Sequence, residues 1–320
     1  MHNNTCAILV TYNRKQLLLR CLKQILRQSS RINAVFVIDN ASTDNTLQHL
    51  IDNGFLFREV LASNDGTKSC ELNGTVIYYT CLRVNSGGAG GFHYGLKKAY
   101  EADQFSTFWM MDDDGYPEES CLENLLPYIS TYSYVMPVSI DIERHDRLSW
   151  PVRTKEGSKT IFYNELRSSW GEKVDYIFPF NGSLLTKELV EKVGYPKKEL
   201  FIWGDEYEHY WRCRKAGYRP ITITKALFYH PADKMAFIPV FMGRYKVPYT
   251  ESKWRFVCLV RNSTYIYWNY SGKYKIFLKF IIYSYLFLLK RPSLSLYLLY
   301  IKSVIDGVKG DFYRHWKYLN

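Results

Sequence analysis

The chain has 320 residues, 47% of them hydrophobic and 23% charged, which excludes wholesale disorder and makes it long for one domain and short for three. A formal net charge of +11 suits nucleic acid, anionic lipid or phosphorylated ligands, and charge alone does not choose among them. Seven Cys without a CxxC pair or regular spacing exclude a disulfide framework and read as reduced thiols of a cytosolic protein, and the first residues lack the basic and apolar regions of a signal peptide.

The front half alternates two kinds of stretch. Residues 6–12 are a short apolar run and predict a strand, followed by helical spacing over 15–28. Residues 34–39 predict a second buried strand, and 43–53 a helix with Ser42 or Thr43 as its N-cap. Residues 76–84 predict a third strand, 91–101 a third helix and 107–111 a fourth strand. Strands separated by helices of this length imply a parallel α/β sheet, whose ligands bind at the carboxyl ends of the strands. Those ends carry Thr11 to Asn13, Asp39-Asn40, Asn85 to Gly88 and Asp112 to Asp114, so four polar clusters converge on one edge.

Further on, residues 176–186 read as extended, 187–193 as a short helix stopped by Gly194, 206–216 as a helix stopped by Gly217, and 221–230 as a strand. Residues 231–252 show little periodicity and read as a loop or lid. From residue 253 to the end the chain is helical, aromatic and basic. Its uninterrupted apolar stretch, 280–289, falls well short of the ~20 residues a spanning helix needs. This region reads as interfacial amphipathic helices against a membrane or a partner, or as a helical subdomain on the core. The organisation expected is therefore a catalytic domain over 1–230, with halves at about 1–115 and 116–230, then the lid and a C-terminal helical region.

Three adjacent carboxylates, Asp112, Asp113 and Asp114, directly after an apolar strand repel one another unless a cation neutralises them. Mn²⁺ or Mg²⁺, which prefer carboxylate and phosphate oxygens, would serve. In an extended segment Asp112 and Asp114 face the same way and could share one metal, bridging it to a nucleotide diphosphate. The run Asn85-Ser86-Gly87-Gly88-Ala89-Gly90-Gly91 precedes a helix, where close backbone approach and the helix N-terminus favour phosphate. In Trp203-Gly204-Asp205-Glu206-Tyr207-Glu208, Asp205 and Glu208 have capping-box spacing and Glu208 and Arg212 are spaced to pair. Glu206 has neither duty and stands in the first helical turn, where an ionised carboxylate can act as general base. His230 ends a strand and becomes a metal ligand if the Asp cluster binds a metal nearby.

Together these motifs resemble the inverting glycosyltransferases of family 2, with the GT-A fold. Val10 to Arg14, Asp39 to Asp44, Asn85 to Phe92 and Trp109 to Pro117 occur in that family's order and spacing. The nearest branch is similar to bacterial galactofuranosyl- and rhamnosyltransferases, and the resemblance covers about residues 5–230. It implies Asp39 at the nucleotide base with Thr11 and Asn13 lining its pocket, and Arg14, Asn40 and Trp203 at the nucleotide sugar. It implies Asn85, Gly88 and Gly91 at the diphosphate and sugar, and Asp113 facing the donor. It implies Asp112, Asp114 and His230 at the metal, Mn²⁺ or Mg²⁺. The family's catalytic Asp falls on Glu206, with Asp205 beside it, so either carboxylate can be the base.

The donor implied is UDP-galactofuranose, or dTDP-rhamnose as the alternative. The acceptor implied is a glycan, most simply a lipid-linked one in polysaccharide or O-antigen assembly, met by a cytoplasmic enzyme peripheral to the inner face of the membrane. A homo-oligomer stays open. A nucleotidyltransferase shares the metal logic but lacks its Gly-rich loop here. A nucleic-acid-binding module, and nucleic acid as a partner, fit poorly with three acidic residues at a strand end.

Overall fold

The computed structural model describes residues 4–56, 66–175, 180–232 and 235–319. Every residue of the first two strands, β1 (Thr5–Thr11) and β2 (Ala34–Asp39), is buried, as expected of parallel strands covered on both faces. Between them runs α1 (Lys15–Leu26), with Leu18, Leu22 and Ile25 on its buried face. α2 (Thr46–Asp52) follows β2. β3 (Lys68–Leu72) and β4 (Thr75–Cys81) form a hairpin through Asn73 and Gly74, both at positive φ, the backbone a two-residue hairpin turn demands. α3 (Gly87–Glu101) then leads into β5 (Thr107–Asp112).

The chain continues through β6 (Tyr116–Pro117), α4 (Cys121–Tyr132), β7 (Tyr134–Asp141), β8 (Arg147–Arg153), β9 (Lys159–Phe162), α5 (Tyr163–Trp170), β10 (Lys173–Val174), β11 (Asn181–Thr186), α6 (Lys187–Val193), α7 (Asp205–Lys215) and β12 (Ile221–His230). The main sheet runs β10-β12-β7-β11-β5-β1-β2-β4-β3. β5, β1, β2 and β4 form a parallel block, while β11 inserts antiparallel between β5 and β7. This is the mostly parallel, helix-flanked α/β sheet the sequence predicts. α3 lies unusually close to it: a Cβ on Gly91 would stand 2.5 Å from Val10 Cγ1, and one on Gly95 2.6 Å from Ile8 Cγ2. Part of the glycine run therefore serves helix–sheet contact.

The chain divides into two compact units, Met1–Pro196 with Cys213–Asp233, and Lys197–Arg212 with Lys234–Asn320. The second contains the hairpin β13 (Phe237–Val240) and β14 (Tyr245–Pro248) and the helices α8 (Lys253–Ile266), α9 (Tyr274–Tyr285) and α10 (Leu294–Lys309). Its core gathers Ile238, Val240, Phe256, Val260, Phe287 and a stacked pair, Tyr283 on Tyr300, with ring centroids 4.7 Å apart. Among the described residues no helix is long and apolar enough to cross a membrane.

Several boundaries differ from those predicted. The helix placed at 43–53 starts at Thr46, because Asn45 takes a left-handed backbone and Ser42 and Thr43 are tied to Asn13 instead of capping. Within the segment read as a lid, residues 237–248 form a hairpin whose strands are too short to print a clear alternation. Residues 197–212 pack in the second unit, not in a catalytic domain continuous to 230. Of the extended stretch expected at 176–186, residues 176–179 lie outside the described residues.

Candidate active site

At the carboxyl end of the parallel block, β1 and β5 are joined through side chains. The Thr11 hydroxyl donates to Asp113 Oδ2 at 2.6 Å, and Arg14 Nη1 donates to Asp113 Oδ1 at 3.2 Å and Asp114 Oδ2 at 2.8 Å. Asp113 is buried, and burial raises its pKa to about 6 against the opposing pull of Thr11 and Arg14. Thr11 and Asp113 thus face each other inside the fold.

The next strand end is equally committed. Buried Asp39 accepts from Ser42 N at 2.8 Å and from the Tyr79 hydroxyl, whose own pKa burial and Asp39 push far up. Buried Asn40 accepts from Ser86 N and Ser86 Oγ, both at 2.9 Å, and donates to Gly87 O at 2.8 Å. Asn85 Oδ1 accepts from Gly87 N at 2.8 Å. Asn40 and Asn85 therefore shape the glycine turn from both sides. Within it Gly88 faces open space, whereas Gly91 packs on Val10. Asn13, at φ +53, takes Thr43 N on its Oδ1 at 2.7 Å and donates its own N–H to Ser42 Oγ.

The third strand end pairs Asp114 with His230. His230 Nδ1 lies 2.7 Å from the Pro231 carbonyl, which can only accept, so Nδ1 carries the proton. Nε2 then stands 3.2 Å from Asp114 Oδ1, an oxygen out of solvent contact that accepts no well-aligned hydrogen bond. Burial would raise the Asp114 pKa, but His230 and Arg14 overcome it and hold it at about 2. With Nδ1 alone protonated, Nε2 and Asp114 Oδ1 are two acceptors that a cation would bridge; a doubly protonated ring would instead pair with Asp114 directly. Metal–ligand bonds of ~2.1 Å put neighbouring ligand atoms of an octahedron about 3 Å apart, and the pair fits that spacing. Among the described residues no group of three His, Cys, Asp or Glu is gathered as a metal site. Asp112 does not join the pair as a third ligand: β5 ends at Asp112 and the chain turns at Asp113-Asp114, so the alternation of an extended segment does not apply.

The second unit holds the other carboxylates. The first hydrogen bond of α7 runs from Glu208 N to Gly204 O, which puts Asp205 at the first helical position rather than before it. Glu208 does not reach back as a capping box requires. It is buried, takes Arg212 at 3.1 and 2.8 Å, and accepts from the Tyr270 hydroxyl at 2.9 Å. Asp205 is buried and Glu206 half-buried; their carboxyls hydrogen-bond, and burial raises the Glu206 pKa. Trp203 has a left-handed backbone, φ +61.

Two residues, Tyr79 of β4 and Arg20 of α1, carry no motif and escape a reading of sequence. Tyr79 reaches Asp39 only because β2 and β4 pair with Asp39 opposite Cys81 and Val37 opposite Tyr79. Arg20 donates to Asp114 O at 3.1 Å with its guanidinium 4.9 Å over the Tyr116 ring.

Residues 6–194, more than half of the chain, match the sequence model of the family described as Glycosyl transferase family 2. The chain belongs to that family. This glycosyltransferase is 28% identical over 269 residues to the galactofuranosyltransferase GlfT1 of Mycolicibacterium smegmatis, covering 82% of each chain. It is 27% identical over 271 residues to GlfT1 of Mycobacterium tuberculosis, covering 83% of each. In fold the glycosyltransferase is similar to S. aureus TarS 1-349 in complex with UDP-GlcNAc, with a TM-score of 0.57 and 15% identity, over 98% of this chain and 82% of that one. It is also similar to the mannosyltransferase PcManGT of Pyrobaculum calidifontis, with a TM-score of 0.52 and 17% identity, over 82% and 63% of the two chains. The sheet and these neighbours make it a GT-A glycosyltransferase.

Proposed function

We propose that this glycosyltransferase moves galactofuranose from UDP-galactofuranose to a hydroxyl of a lipid-linked glycan in cell-surface polysaccharide assembly, with inversion at the anomeric carbon. The observation that carries the donor is the similarity to two galactofuranosyltransferases over 82% and 83% of the chain. The S. aureus and Pyrobaculum neighbours, in complex with UDP-GlcNAc and with GDP-Man and Mn²⁺, support a nucleotide-sugar donor.

Thr11, Asn13 and Asp39 then frame the nucleotide base, and Asn40 and Asn85 hold the glycine turn so that Gly88 offers its backbone to the diphosphate. Gly91 lets α3 approach the sheet closely beneath that turn. Arg14 and buried Asp113 set the charge beside the donor, and Trp203 flanks the sugar. Asp114 and His230 would hold Mn²⁺ or Mg²⁺, which would supply positive charge for the departing diphosphate when bound. The fit of Asp114 to His230 supports that role for those two.

The acceptor hydroxyl gives its proton to the carboxylate of Glu206 or Asp205 as its oxygen attacks C1 of the sugar. The bond from C1 to the diphosphate oxygen breaks, and UDP leaves with the bonding electrons. Glu206 suits the base role because burial lifts its proton affinity while the helix N-terminus tolerates its charge. The exposed Tyr274, Phe277, Ile281 and Leu289, interspersed with Lys275, Lys279 and Lys290, favour a place on the anionic inner face of the membrane, where a lipid-linked acceptor resides.

The test is turnover of UDP-galactofuranose and dTDP-rhamnose side by side with a glycan acceptor and Mn²⁺. Release of UDP with a galactofuranosyl product is expected; turnover of the rhamnose donor alone would assign the other branch.

A further inference from the structure

The loop that leads into Asp205 and Glu206 is strained. Phe201 has φ +69 and ψ −70, a γ-turn closed by Ile202 N donating to Leu200 O at 2.9 Å. Trp203 and Gly204 follow at φ +61 and +95. Two bulky residues at positive φ within three positions cost free energy and persist only where neighbours over-determine them.

The neighbours that do so come from one helix, α8. Asn262 is buried, and its Nδ2 donates to Leu200 O at 2.9 Å, Ile202 O at 2.8 Å and Trp203 O at 2.8 Å. Three carbonyls of the loop converge on one amide nitrogen and share its two protons. Arg261, also fully buried, adds Nη2 to Leu200 O at 3.0 Å. Its Nη1 is anchored on Phe312 O at 2.8 Å and His315 Nδ1 at 2.9 Å, and its Nε donates to Asn262 Oδ1 at 2.9 Å. The Phe201 ring lies in a cage of His315, Trp316 and Trp254, at centroid distances of 4.6, 5.3 and 5.8 Å. No comparable side-chain clamp is needed to fold a helix. Its target is the backbone immediately before the two carboxylates.

We infer that Asn262, supported by Arg261, is a positioning residue for the transfer reaction: it holds the strained loop 200–204 so that Asp205 and Glu206 are presented as the base. The inference rests on the proposal that one of those carboxylates is the base. It gives the C-terminal helices a part in catalysis as well as in membrane contact. A general base displaced by about 1 Å loses on the order of 10- to 100-fold in rate.

The experiment compares Asn262→Ala, Asp205→Asn and Glu206→Gln in the full chain, by kcat, affinity for UDP, melting temperature and amide exchange over the loop. Asn262→Ala is expected to exchange faster at residues 200–206, to bind UDP with unchanged affinity, and to lose about 10- to 100-fold in kcat. Unchanged kcat in a folded Asn262→Ala, with either carboxylate variant inactive, overturns the positioning role alone. Full activity in both carboxylate variants overturns the base assignment and the inference with it. Gly204→Ala reaches the same loop from within: its Cβ would sit 3.2 Å from Ile266 Cδ1 at a backbone angle that favours glycine, with no hydrogen bond deleted. It is expected to reproduce the kcat loss. If Asn262→Ala fails to fold, full kcat in Gly204→Ala overturns the inference.

Discussion

Asn40→Ala tests how the glycine turn is held. The Asn40 side chain is buried and makes three hydrogen bonds, two accepted from Ser86 and one donated to Gly87 O. Ser86 is half-buried, so water can replace the lost acceptor; Gly87 opens α3, so its carbonyl keeps the helical N–H of Gly91 and loses only its second donor. Three lost hydrogen bonds at about 0.5–1.5 kcal/mol net each, partly regained from water at Ser86, give an expected destabilisation of about 1–3 kcal/mol. Urea unfolding would read it as a lowered midpoint with an unchanged slope. Asn40→Asp should be at least as damaging, because it turns a second acceptor on Gly87 O. In turnover assays the looser turn should raise the donor KM more than it lowers kcat. A midpoint within about 0.5 kcal/mol of the parent, or an Asp variant as stable as the parent, would refute this reading of the turn.

Arg212→Ala leaves the buried Glu208 carboxylate with only the Tyr270 hydroxyl; since Arg212 is itself partly exposed, a loss of about 2–4 kcal/mol is expected in urea unfolding, with most of it recovered when Glu208 is replaced by Gln in the same chain. His315 accepts from Arg261 on Nδ1, and burial and that guanidinium hold its pKa down to about 4 against an ordinary 6.5. The unfolded chain therefore binds the extra proton first: this stability is complete above pH 6.5, drains away as pH falls toward 4, and amounts to at most about 3 kcal/mol. His315→Gln should flatten the slope of stability over that range, which unfolding at pH 4.5, 5.5 and 7 would show.

Much of this architecture is legible in residue order because local pattern and tertiary environment agree. The strand over 34–39 and the strand over 221–230 are apolar enough to be recognised and end where polar residues begin, and the structure reproduces both spans. The helix over 187–193 is bounded by Thr186, which caps Leu189 N, and by Gly194. What was not legible depends on pairs distant in sequence. Ser42 and Thr43 look like caps, but Asn13, 29 and 30 residues earlier, claims them. Glu208 looks like half of a capping box, but Tyr270, 62 residues later, helps hold it elsewhere. Asp112 and Asp114 look like alternate positions on a strand, but the strand stops between them. The pairing of His230 with Asp114 is foreseeable only on the condition that the Asp cluster binds a metal, since 116 positions separate them and His230 arrives on the last strand of the sheet.

A cation held between the end of β5 and His230 is expected to bind the donor's diphosphate. Calorimetric titration of UDP into the full chain, with and without Mn²⁺, tests it most directly. Mn²⁺ is expected to tighten UDP binding at least about tenfold, or 1.4 kcal/mol, in the parent, and to have no such effect in His230→Ala or Asp114→Asn. Equal UDP affinity with and without Mn²⁺ in the parent, together with undiminished turnover in a chelator, would contradict it.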